Sequence, residues 1–213
     1  MQVFLDGQTL TVTDPTLVAA MAAAKAAAES QGRVIIEVKA DDQPLPSGAL
    51  EDPSSAGPYG QVQFVSADPV SLVSVSLTDG AEALEAVKQV HAAAAASVQA
   101  GDTTKGLAQL QEALQTWGAV RDLVEQTSRL MGIDLATLVM PGVHGEITFD
   151  HGVTLMVTRL KEVQGAVQRE DWAALSDIVG YDLDALADVW IGMLNGLAAH
   201  VRRAGGKDRG ESR

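Results

Sequence analysis

Near Asp68-Pro69 the chain changes period. Upstream, apolar residues alternate in short runs around one alanine-rich segment. Downstream they recur every third or fourth residue, almost without a break, as far as Ala204. Alternation puts side chains on opposite faces of a strand, whereas the longer spacing lines them up on one face of a helix. The switch predicts an α+β protein, with a small sheet-containing domain over residues 1–68 and a helical domain over 69–204. A chain of 213 residues is long enough to bury such cores without cross-links. It has to, because it contains no cysteine, which also removes thiolate metal sites and a Cys nucleophile.

In the first part, Gln2–Asp6 and Gln8–Thr13 read as strands. They are joined at Asp6-Gly7, where both residue types tolerate the positive φ of a tight hairpin turn. Thr13 or Asp14 is expected to cap a helix with Pro15 in its first turn, where a missing N–H costs nothing. Gly32 is expected to end that helix. Val34, Ile35, Ile36 and Val38 make Arg33–Lys39 a strand. The stretch 41–60, rich in proline and glycine, reads as loop with a short strand near Gln43–Leu45, and Gln61–Ser66 reads as the last strand. With Met1-Gln-Val-Phe-Leu at the start and Asp42-Gln-Pro-Leu-Pro-Ser-Gly-Ala-Leu after the third strand, this order resembles the ubiquitin-like β-grasp superfamily over residues 1–68. The resemblance implies a β-grasp domain that presents a sheet face or edge to partners.

After Pro69, Val73, Val75 and Leu77 alternate as in a strand. Yet Val73, Leu77, Ala81, Leu84, Val87, His91, Ala94 and Val98 keep helical spacing, so one helix over about 69–100 is expected, with Gly80 its weak point. Gly101-Asp102 is a turn and cap before a helix over Thr103–Met131, stopped by Gly132. A loop with a helical turn at Leu135–Val139 leads to a helix over Phe149–Glu170. Asp171 caps a last helix over Trp172–Ala204, bent at Gly180. Four long helices with short connections predict an antiparallel four-helix bundle. Residues 205–213 are expected to form a disordered tail. The turn before Thr103 and the Asp171-Trp172 start loosely resemble the helical chaperones of secretion and flagellar export, which hold amphipathic partner helices.

Net charge is −13, from 28 acids against 15 bases, spread over both halves. Phosphate backbones are repelled, so nucleic-acid binding is not expected. Leu17–Ala28 is too short for a membrane span and Met1–Asp6 lacks a basic signal region, so no membrane association and a cytoplasmic location are expected.

Chemical grammar is sparse. No nucleophile elbow, phosphate-binding loop or dinucleotide fingerprint occurs. His144, Glu146, Asp150 and His151 are the only cluster with metal-ligand character, although their spacing matches no zinc motif; the plainer reading is a loop whose acids favour the following helix N-terminus. His91 reads as a structural residue, since no carboxylate lies one turn away. His200, beside Arg202 and Arg203, suits a helix C-terminus. Asp177, Asp184 and Asp188 share a helical face that could attract a basic partner or simply be solvated. Gly205-Gly206 invites comparison with the diglycine tail of ubiquitin-like modifiers, though a helix cap is the plainer role. The chain therefore reads as a non-catalytic protein-protein interaction module, adaptor or chaperone-like, without cofactor. It binds a protein partner such as an amphipathic helix through the bundle groove or the sheet face, and homo-oligomer formation is open to it. The alternatives are a metal-binding protein or metal-dependent enzyme using the 144–151 cluster, and a ubiquitin-like modifier.

Overall fold

The computed structural model describes residues 1–55, 57–142 and 145–208. The chain divides into two compact units, Met1–Leu72 and Val73–Arg213. The division falls four residues beyond the expected boundary, inside the first turn of a helix that starts at Pro69.

The first unit is a mixed five-stranded sheet with one helix on its face. Strands β1 (Gln2–Leu5) and β2 (Gln8–Leu10) form a hairpin. Asp6 and Gly7 take φ of 49° and 79° at its turn. Helix α1 (Leu17–Ser30) follows, then β3 (Val34–Ala40), β4 (Gln43–Pro44), a short helix α2 (Ser47–Glu51) and β5 (Gln61–Ala67). The sheet order is β2-β1-β5-β3-β4, with β1 and β5 parallel and the other pairs antiparallel. Helix α1 turns Leu17, Ala20, Ala24 and Ala28 inward. They share a core with Val3, Leu5, Val62 and Phe64, the inward sides of β1 and β5. Alanines let the helix lie close to the sheet, and the larger β residues fill the space.

Two local readings are corrected. Thr16, not Thr13 or Asp14, caps α1: its hydroxyl accepts from the Ala19 N–H at 3.2 Å, and Pro15 lies outside the helix. The 41–60 stretch also contains α2, started by Pro46, whose carbonyl accepts from Ala49 at 2.9 Å. Ahead of it, Asp41 and Asp42 turn β3 into β4 with φ of 48° and 64°.

In the second unit, α3 (Pro69–Gln99) and α4 (Thr103–Met131) run antiparallel, with Gly80 against Leu123 at one end and Gly106 against Val98 at the other. All eight residues expected on the α3 stripe are buried, while Val75 is exposed. A strand would have put Val73, Val75 and Leu77 on one face; the helix keeps Val73 and Leu77 together and turns Val75 outward. Asp102 caps α4, and Gly132 ends it with φ of 62°. A 3₁₀ turn (Leu135–Thr137) leads into a hairpin of β6 (Val139–Gly142) and β7 (Gly145–Thr148), where only a loop was expected. The hairpin buries Met140 (3 % exposed), paired with Ile147.

Helix α5 (Phe149–Gln168) is capped by Thr148. Asp171 caps α6 (Trp172–Asp177), which passes through a π-helical turn (Ile178–Asp182) into α7 (Leu183–Asp208). The expected bend at Gly180 is this turn: Gly180 lies so close to α3 that an added Cβ would sit 3.2 Å from the Ala95 Cβ. The continuous run of α6, the π-helical turn and α7 lies antiparallel to α3, through Lys88–Asp188 and Ser176–Ala95, and to α5, through Gly152–Met193 and Arg159–Asp182. The last helix extends to Asp208, so Gly205-Gly206 lies within it and does not open a tail at residue 205. Glycine lowers helix propensity by only about 1 kcal/mol per residue, which does not forbid continuation. Residues 209–213 of the expected tail lie outside the described residues. No described helix is long and apolar enough to cross a membrane.

Candidate interaction groove

Between α4 and the start of α5 lies a groove of about 320 Å³. Its floor is Val124, Phe149 and Trp190, and Leu135 and Val153 form its apolar sides. The helix capped by Thr148 places Phe149 in its first turn, and the ring meets Trp190 of α7 edge-on at 5.7 Å. The Trp190 indole N–H donates to the Gly152 carbonyl at 3.3 Å, which fixes the ring's tilt. An added Cβ at Gly152 would strike Met193, so only glycine lets α5 approach α7 this closely without Met193 moving.

The apolar residues of α5 do not bury evenly. Met156 and Val163 face inward, but Val153 and Val157 are 38 % and 42 % exposed, and Leu130 on α4 is 48 % exposed. Phe149, Val153 and Val157 are four residues apart, so one apolar line runs from the groove floor onto the outer surface.

Polar groups around the groove are engaged by near neighbours. Arg121 pairs with Asp122 at 2.7 Å, Glu125 pairs with Arg129, and the Ser128 hydroxyl donates to the Ile133 carbonyl at 2.8 Å. Asp150 lies in the first turn of α5, where the helix dipole favours a carboxylate. None of these groups forms a nucleophile–base pair, and Val124, Leu135, Phe149, Val153 and Trp190 give the groove an apolar lining.

Below the floor lies a polar pair that sequence reading missed. His91 of α3 is wholly buried, and its Nδ1 is 3.0 Å from Oδ1 of Asp184 on α7. The Trp117 indole N–H of α4 reaches His91 Nε2 at 3.4 Å. Nε2 must therefore accept, which leaves the proton on Nδ1 to be donated to Asp184. Burial pushes His91 below its ordinary pKa, against the opposing pull of the Asp184 hydrogen bond and charge. Trp117 in turn meets Trp190 edge-on at 6.0 Å. His91 does have a carboxylate partner, contributed by another helix 93 positions away. The only sequence signal was a histidine on an otherwise apolar stripe and an aspartate within an acidic row.

That row is divided. Asp184 faces His91, Asp188 holds Lys88 at 2.8 Å, and Asp177 is exposed at the end of α6. Of the cluster read as possible metal ligands, His144 lies outside the described residues. Glu146 is exposed on β7, and Asp150 and His151 are exposed in the first turn of α5. Among the described residues no three His, Asp or Glu side chains converge on a metal position.

The first unit has its own apolar cleft of about 390 Å³ between α1 and β3, lined by Met21, Ala22, Val34, Ile35, Val38 and Phe64 among others. Compared with known proteins, the chain matches no family model, no curated protein and no solved structure.

Proposed function

We propose that the protein is a non-catalytic interaction module whose α4–α5 groove receives the apolar face of a partner helix. The observation that carries this reading is the continuous apolar line from Phe149 through Val153 to Val157, which leaves the core and ends on the surface. Covering the exposed parts of the two valines is worth only about 1 kcal/mol each. That falls short of the roughly 4 kcal/mol of even a millimolar complex, so a partner needs an anchor side chain in the groove as well. The net charge of −13 favours a partner with a basic polar face.

The finer architecture belongs to the same proposal. A sheet of order β2-β1-β5-β3-β4 with a parallel β1–β5 pair and α1 on one face supports a β-grasp unit. The antiparallel runs of α3 with α4 and α7, and of α7 with α5, support a four-helix bundle of chaperone-like character. A cytoplasmic setting suits a chain without cysteine.

The test is affinity capture from native lysate using the parent chain and a Val153→Asp/Val157→Asp variant of equal thermal stability. A partner recovered by the parent and lost by the variant is expected. Equal recovery by both, or none by the parent, overturns the reading.

A further inference from the structure

We propose that His91 couples proton uptake to the floor of the α4–α5 groove, so that its charged form displaces Trp117 and, through it, Trp190. The inference rests on reading the groove as a binding site, because Trp190 is part of its floor.

The coupling follows from contacts that leave little slack. His91 is wholly buried, with Trp117 on Nε2 and Asp184 on Nδ1. In the neutral ring each nitrogen has a suitable partner. Addition of a proton places it on Nε2, where the Trp117 N–H already points, so that two donors face each other. Asp184 holds the opposite side of the ring and gains by the new charge, so the indole is the group that gives way. Trp117 is 3 % exposed and its ring lies edge-on to Trp190, which is 1 % exposed and lies edge-on to Phe149. In a close-packed interior a displaced ring moves its neighbour, and here the neighbours are the groove floor.

Among the surrounding charges, Asp184 is the one hydrogen-bonded to His91, and its charge also acts on Lys88. Helix α7 also carries Asp188, but its carboxylate is taken by Lys88 of α3, which pairs with Glu85 as well. From the π-helical turn, Asp182 pairs with Arg159 of α5 at 3.4 Å. Helix α4 faces the imidazole with the uncharged Trp117 indole. Partner binding and His91 protonation are then linked reciprocally: a partner that requires the neutral arrangement of the floor lowers proton affinity, and acidification weakens its binding.

The test needs no partner. The full chain carries three tryptophans, Trp117, Trp172 and Trp190, which can be labelled uniformly with 5-fluorotryptophan and followed by ¹⁹F NMR as pH falls from 8 to 5. The expected result is that the Trp117 and Trp190 signals shift along one titration curve while Trp172 stays in place and helicity is retained. His91→Gln, whose amide can accept from Trp117 and donate to Asp184 without titrating, should abolish both shifts. Should that variant fail to fold, Trp117→Phe removes the opposing N–H and should abolish the Trp190 shift. Movement of Trp117 without Trp190, no movement of either, persistence of the Trp190 shift in the variants, or collapse of all signals with loss of helicity each overturns the proposal. Failure here leaves the capture experiment untouched. Failure of capture with success here leaves a proton-coupled floor without the partner it was argued to serve.

Discussion

Two glycines in α4, both read as helical, should respond oppositely to the same change. An added Cβ at Gly106 would lie 2.5 Å from Val98 Cγ2 and 3.1 Å from the Ala94 carbonyl, where α3 passes over α4, whereas nothing lies within 4 Å of one at Gly118. Gly118→Ala should stabilise by about 1 kcal/mol through helix propensity. Gly106→Ala should destabilise by about 1–3 kcal/mol, because overpacking against backbone cannot relax cheaply; chemical denaturation of both variants checks the contrast. His91 yields a second prediction, with its sign set by burial. Its folded pKa lies below the ordinary 6.5, so as pH falls the unfolded chain binds the proton first. Stability present above about pH 6.5 is lost as pH drops toward the folded value. Denaturation midpoints measured between pH 7.5 and 5.5 should decline, and should decline less in His91→Gln. Neither residue's role was legible in the sequence, since the close approach at Gly106 and the carboxylate facing His91 are both supplied by other helices.

The first hairpin and the α3–α4 pair were legible because their signals are local. Asp6-Gly7 states its own backbone preference, and the eight-residue stripe of α3 needs no partner to declare a helix. The β6–β7 hairpin was hidden because its short strands are held by burial of Met140, a tertiary effect that outweighs local pattern. Val153 and Val157 show the same limit from the other side: spacing puts them on an apolar face, but only packing decides whether that face is core or surface. The elements of the sheet are tied by a clamp that sequence pattern also conceals. The Asp6 carboxylate accepts from the Ser66 N–H at 2.8 Å and the Ser66 hydroxyl at 2.5 Å, and Arg33 Nε donates to the same hydroxyl at 2.7 Å. The Ser66 hydroxyl and N–H, followed by Arg33, hold the Asp6 carboxyl below its ordinary 3.8. A depressed carboxylate stabilises above that ordinary value, and the effect is lost as pH falls through the folded one. Asp6→Ala should therefore destabilise the first unit by about 1–3 kcal/mol at neutral pH, the scale for hydrogen bonds to a charged group. The difference from the parent should shrink below about pH 3.8, a more acidic window than that of His91. Hydrogen exchange of the β1 and β5 amides across that range is the measurement.

At the scale of the molecule, the 213 residues divide into two compact units. The core of the first is built from Val3, Leu5, Val62, Phe64 and the alanines of α1. The second closes around Leu77, Leu84, Trp190, Leu194 and Leu197. All three tryptophans, at 117, 172 and 190, lie in the second unit. Tryptophan emission therefore follows that unit alone, whereas circular dichroism and calorimetry sense both. If the cores are energetically separate, two-state behaviour fails for the whole chain and the probes part company. Phe64→Ala removes a 2 % exposed ring from the first core and should cost about 3–5 kcal/mol there. The expected outcome is a calorimetric transition moved to lower temperature while the tryptophan transition stays in place. Leu197→Ala, fully buried in the second core and worth about 2–5 kcal/mol, should produce the reverse. A common shift of both transitions in either variant would mean that α3, which begins in one unit and continues through the other, transmits stability between them.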